Sequence, residues 1–127
     1  MALTPEAAAT IAELEQAYPR GVTTAEDGVG GALVVVEPVA LGAPYAQDAT
    51  WVGFHVTHLH PNADIYPHHV RDDLSRIDAQ PLGSGISPSS FQGRPSQQLS
   101  RRSNRRDATT DTALLKLERV MKWLLAK

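Results

Sequence analysis

An apolar strand, Trp51-Val52-Gly53-Phe54-His55-Val56, runs into two proline corners, His60-Pro61 and Tyr66-Pro67. Proline has no N–H for a sheet ladder, so the strand has to end and the chain has to turn there. Upstream, Leu33-Val34-Val35-Val36-Glu37 reads as a buried strand by its β-branched content, bent or ended by Pro38. Gly21 to Thr24 is a short strand candidate, and Pro67 to Val70 a short edge strand. Consecutive strands with short connections predict an antiparallel meander. Glu26 to Gly31 reads as a turn, because its glycines accept positive φ. No Lys-Ser/Thr follows, and a β-rich run comes next instead of a helix, so this is no phosphate loop and no cofactor is expected.

Two helices bracket the strands. Thr4 is a good N-cap, Pro5 suits the first helical position, and Ala7, Ile11, Leu14 and Tyr18 recur at helical spacing until Pro19 and Gly21 stop them. The last helix starts near Thr110 or Asp111. Its apolar stripe is Ala113, Leu114, Leu117, Val120, Met121 and Leu124, with Lys122 and Lys127 at the negative end. Between strands and helix, Asp78 to Asn104 is rich in Pro, Gly and Ser and reads as one long loop. The expectation is an α+β fold: helix, four-stranded antiparallel meander, long loop, helix. Ile11, Leu14, Leu117, Val120 and Leu124 should meet Val34, Val36, Phe54 and Val56.

The 127 residues fit one domain spanning 1–127, with 42% apolar residues to supply a core. Cysteine is absent. That excludes disulfides and thiolate metal sites and matches a cytoplasmic location. No apolar run approaches the roughly 20 residues of a membrane span, so no membrane partner is expected. The start, Met1 to Glu6, lacks the basic region of a signal peptide. The net charge of −2 hides a division: residues 1–93 carry −8, and residues 94–127 carry +6. A surface polarised in this way suits docking to an anionic partner, although it also fits an ordinary solvated face.

Five histidines lie between positions 55 and 69: His55, His58, His60, His68 and His69. No pair stands at the helical i, i+4 spacing of a zinc motif, and His68 and His69 alternate along a strand, so no metal site is expected. The basic cluster Arg94, Arg101, Arg102, Arg105 and Arg106 offers planar guanidinium forks for carboxylate or phosphate. Phe91 is the only ring close by, which argues against a nucleic-acid stacking platform and for an acidic protein partner. The nucleophile elbow Gly-x-Ser-x-Gly is missing.

At the Tyr-Pro corner the chain resembles the ubiquitin-conjugating enzyme family, and most closely its divergent bacterial branch. Val34 to Pro38 is similar to the family's second strand and Trp51 to Val56 to its third. His60-Pro61-Asn62-Ala63-Asp64-Ile65-Tyr66-Pro67 is similar to its Pro-x-x-Tyr-Pro segment with stretched spacing, and Asp111 to Leu125 to its crossing helix. His60-Pro61-Asn62 spells the family's His-Pro-Asn signature, but on the wrong side of the corner, so Asn62 does not inherit an oxyanion role by its letters. The resemblance implies an acyl carrier working with a ubiquitin-like modifier and an activating-enzyme-like protein, on an unknown target.

The family's cysteine position falls near Ser100, with Ser103 as the alternative register. The implied chemistry is a serine oxyester, with His68 or His69 as base and Arg101, Arg102 and Asn104 holding the oxyanion. A serine hydroxyl is not ionised at neutral pH, so it needs such help. The opposing expectation is an inactive adaptor that binds the modifier or the activating enzyme. A basic-loop nucleic-acid domain or a His-rich metal domain is a further alternative.

Overall fold

The computed structural model describes residues 2–103, 107–108 and 111–127. The elements are α1 (Pro5–Ala17), β1 (Val22–Glu26), β2 (Ala32–Ala40), β3 (Ala49–Val56), β4 (His68–Arg71), β5 (Ile86–Phe91), β6 (Arg94–Leu99) and α2 (Ala113–Leu125). The strands form one antiparallel sheet in the order β1-β2-β3-β4-β6-β5. The α+β class and the two flanking helices are as expected. The four-stranded meander is not: the sheet has six strands. The stretch expected to be a single loop folds in part into the β5–β6 hairpin. That hairpin lies against β4, which is therefore an inner strand and not the expected edge.

The hairpin forms for local reasons. Gln92 (φ 52°) and Gly93 (φ 76°) both take the left-handed conformation that a two-residue type I′ turn needs. Pro88 is tolerated because β5 is the edge strand. Pro95 is tolerated because β4 reaches only as far as the Arg71–Ser96 pair. Gly53, in mid-strand, is where the hairpin's aromatic ring lands: a Cβ there would stand 2.6 Å from the Phe91 ring.

Pairing sorts the side chains. Val36 lies opposite Val52, Val34 opposite Phe54, Val52 opposite Val70, and His68 opposite Leu99, all on one face. These residues join Ala7, Ile11 and Leu14 of α1 and Leu117, Val120 and Leu124 of α2 in the buried core. The opposite face carries Trp51, Gly53, His55 and His69. At the turn, Asp27 Oδ1 accepts from Val29 N–H (2.8 Å) and Gly31 N–H (3.0 Å), and its Oδ2 pairs with His55 Nε2 at 2.7 Å.

Both helices are capped by side chains. Thr4 accepts from Ala7 N–H at 3.1 Å, and Thr112, just after the expected start of α2, accepts from Leu115 N–H at 3.3 Å. Thr10 of α1 reaches across to take Ala113 N–H at 2.9 Å. At the other end of α2, buried Tyr45 donates its hydroxyl to Leu124 O at 2.9 Å, and Arg76 donates to Lys127 O at 3.0 Å. Orphan groups at both ends of α2 are thus answered by remote side chains, which fixes where it crosses the sheet. Among the described residues no helix is long and apolar enough to cross a membrane.

Leu117→Ala should cost about 2–5 kcal/mol. Leu115→Ala, on the exposed side of the same helix, should cost less than about 0.5 kcal/mol. Urea unfolding of both variants checks this, and equal losses would contradict the assignment of the buried face.

Candidate active site at Ser103

Lys116 sits on the buried stripe of α2, between Ala113 and Val120, and is only 5% exposed. A buried ammonium is costly unless paired and hydrogen-bonded. Its Nζ donates to Ser103 Oγ at 2.8 Å, to Arg101 O at 3.0 Å and to Asp64 Oδ2 at 3.3 Å. Ser103 in turn donates its hydroxyl to Asp64 Oδ1 at 3.1 Å and its backbone N–H to Oδ2 at 2.9 Å. Three separate segments meet in this network: the corner before Tyr66-Pro67, the strand exit after β6, and the first turn of α2. Beside it the Arg102 guanidinium lies over the Tyr66 ring at 4.0 Å, a second tie between the exit and the corner.

The electrostatics follow from these contacts. Burial alone would raise the Asp64 carboxyl. The Ser103 N–H, the Lys116 charge and the Ser103 hydroxyl outweigh it and hold the carboxyl below its ordinary value. Asp64 is therefore a carboxylate at neutral pH. The Ser103 oxygen lies between an acceptor for its proton and a cation that stabilises negative charge, the two requirements of an activated hydroxyl.

The sequence-expected residues divide. Ser103 is in the network. Ser100 is exposed beyond the end of β6, its Oγ accepting from Gln98 Nε2 at 3.3 Å. His69 lies on the opposite sheet face, its Nδ1 2.9 Å from Ser96 Oγ and its ring against Phe91. His68 lies on the core face, fully buried 5.0 Å from the Phe54 ring, and among the described residues neither of its ring nitrogens has a hydrogen-bond partner. The structure therefore brings neither histidine into a hydrogen bond with Ser100 or Ser103. Arg101 and Arg102 flank the network. Arg94 does not: its guanidinium covers the Trp51 ring at 4.2 Å on the far face, 4.0 Å from Glu37. Asn104, Arg105 and Arg106 lie outside the described residues. Among the described residues no three His, Asp or Glu side chains converge as a metal site would require.

Sequence reasoning missed Asp64 and Lys116. The signal for Lys116 is its position: three residues after Ala113 and four before Val120, it places a charge in an apolar stripe, which demands a buried partner. Asp64 had no such mark beyond its place before the corner.

His68 lies close enough to Lys116 and Asp64 to feel their charges. Burial, reinforced by Lys116 and opposed by Asp64, pushes it from its ordinary value of 6.5 to about 3. Its folded pKa is depressed, so between those values the unfolded chain binds a proton that the folded chain does not. Stability then falls as pH drops from about 6.5 toward about 3. His68→Leu should flatten this decline in urea midpoints measured across that window. Parallel curves for the variant and the wild type would contradict it.

No family model matches the chain, and no curated protein or solved structure matches it.

Proposed function

We propose that the chain is a minimal conjugating-enzyme-like acyl carrier in which Ser103 takes the place of the family's thiol. The observation that carries this reading is the Ser103–Asp64–Lys116 network, a serine hydroxyl held between a carboxylate and an ammonium. Its place beside the Tyr66-Pro67 corner and ahead of α2 supports the resemblance, in the Ser103 register and not the Ser100 one.

In the proposed step, Ser103 Oγ attacks the thioester carbonyl that joins a ubiquitin-like modifier's C-terminus to its activating enzyme. The hydroxyl proton passes to Asp64. Lys116 stabilises the tetrahedral oxyanion. The C–S bond breaks, and the departing thiolate takes up a proton from solvent. The product is a modifier–Ser103 oxyester. A positioned base contributes about 10²–10⁴-fold to such a step.

The lowered pKa of Asp64 favours a second reading, an inactive adaptor, because a weak base removes a serine proton slowly. In that reading the network is a structural tie, and the protein binds the modifier or the activating enzyme without carrying the acyl group.

Incubation with the modifier, the activating enzyme and ATP should give an adduct that survives thiol reductant and falls to hydroxylamine. Ser103→Ala should abolish it, Ser103→Cys should make it reductant-sensitive, and Asp64→Asn should slow it by about 10²-fold. Ser100→Ala should leave it intact. Loss with Ser100→Ala and survival with Ser103→Ala would restore the Ser100 register. No adduct from the wild type would leave the adaptor.

A further inference from the structure

Beside the Ser103 network, the strand exit and α2 enclose a cleft of about 550 Å³. That is within the size of small-ligand and peptide-anchor sites, roughly 300–1,000 Å³. Its wall is apolar: half-buried Trp123, near the end of α2, and exposed Ala126, its C-cap, line it over the buried Val120. Its rim is cationic: Arg101 and Arg102 on one side, Lys122 on the other. Among the described residues none of these three makes an ion pair, and Arg102 stacks on the Tyr66 ring. Of the other described cations that line the cleft, Arg119 is matched by Asp111 at 3.0 Å and Lys116 by Asp64. The cleft therefore presents unbalanced positive charge around an apolar floor.

We infer that this cleft docks an acidic peptide segment of a partner protein, an apolar side chain resting on Trp123 and Ala126 with carboxylates on either side of it reaching Arg101, Arg102 and Lys122. The inference rests on the proposed carrier role only for what the docking achieves, since it would bring a partner to Ser103. The chemistry selects this occupant over others. A free phosphate would leave the apolar wall uncovered. For a nucleic-acid base, cations already sit over both rings: Lys127 over Trp123 at 4.7 Å and Arg102 over Tyr66 at 4.0 Å. A carboxylate peptide uses both features, with the charges setting on-rate and register and the buried apolar anchor supplying most of the affinity.

The test is fluorescence anisotropy on the full chain, without modifier, activating enzyme or ATP, so that its failure and that of the acyl-carrier reading are separate results. The probe is a labelled peptide with one leucine between pairs of glutamates. Controls are the same peptide with glutamines and a labelled single-stranded oligonucleotide. The wild type should bind the glutamate peptide at least about tenfold more tightly than the glutamine peptide. Arg101→Glu with Lys122→Glu should weaken it by about tenfold or more, and Trp123→Ala should weaken it with the salt dependence unchanged. Thermal melts matching the wild type show that the variants are folded. Lys122 is exposed and Arg101 half-buried, and Arg94→Glu on the far face serves as the charge-reversal control that should leave binding intact.

Equal binding of the glutamate and glutamine peptides overturns the inference. So does tighter, steeply salt-dependent binding of the oligonucleotide. Concentration-dependent self-association lost in the rim variant, with no peptide binding, also overturns it by giving the cleft to a second copy of the chain.

Discussion

One buried ammonium constrains the rest of this molecule. Lys116 lies on the apolar stripe of α2, where any side chain must meet the sheet. Removing its charge from water costs several kcal/mol unless hydrogen bonds and an opposite charge return most of it. Its partners come from two other parts of the chain, Asp64 before the Tyr66-Pro67 corner and Ser103 with the Arg101 carbonyl after β6. Satisfying one lysine thus fixes the corner, the strand exit and the crossing of α2 relative to one another. The remote caps at the ends of α2, from Thr10, Tyr45 and Arg76, hold the helix over the sheet while the lysine ties it down in its first turns.

The same contacts set the chemistry and limit it. The ammonium and the Ser103 N–H keep Asp64 ionised, which a proton acceptor needs, but they also lower its basicity. The ammonium that stabilises the pair is the charge that would stabilise an oxyanion on Ser103. Burial, reinforced by the charge of Lys116, keeps the His68 ring neutral, so it adds no further positive charge to the core. On the solvent side, the unbalanced arginines and Lys122 continue the positive character of the site into the adjoining cleft. Five of the nine basic residues of the segment 94–127, Arg101, Arg102, Lys116, Arg119 and Lys122, line that cleft.

Much of the fold was legible in the residues. Thr4, Pro5 and the Ala7–Ile11–Leu14 spacing mark α1, and Val34, Val36, Phe54 and Val56 mark the core face, because capping and periodicity act locally. The β5–β6 hairpin was not legible. Ser87, Pro88, Ser89 and Ser90 carry no alternation, since an exposed edge strand buries almost nothing, and Gln92-Gly93 is a weaker turn signal than Asn-Gly. Of the site, Ser103 was visible only as an alternative to Ser100, because loop length is uncertain where an unrecognised hairpin lies. Lys116 could be read as an anomaly in an apolar stripe, but its partner Asp64 lies 52 positions away, and no local rule joins them.

A double-mutant cycle on Asp64→Asn and Lys116→Met, read by urea unfolding at neutral pH, tests the central constraint most directly. If the pair holds the three segments together, each single change removes one side of the Asp64–Lys116 ion pair. The double variant should then be more stable than the sum of the two losses predicts, by about 1 kcal/mol or more. Losses that simply add would mean that Asp64 and Lys116 act independently, and that the network is not what organises this end of the molecule.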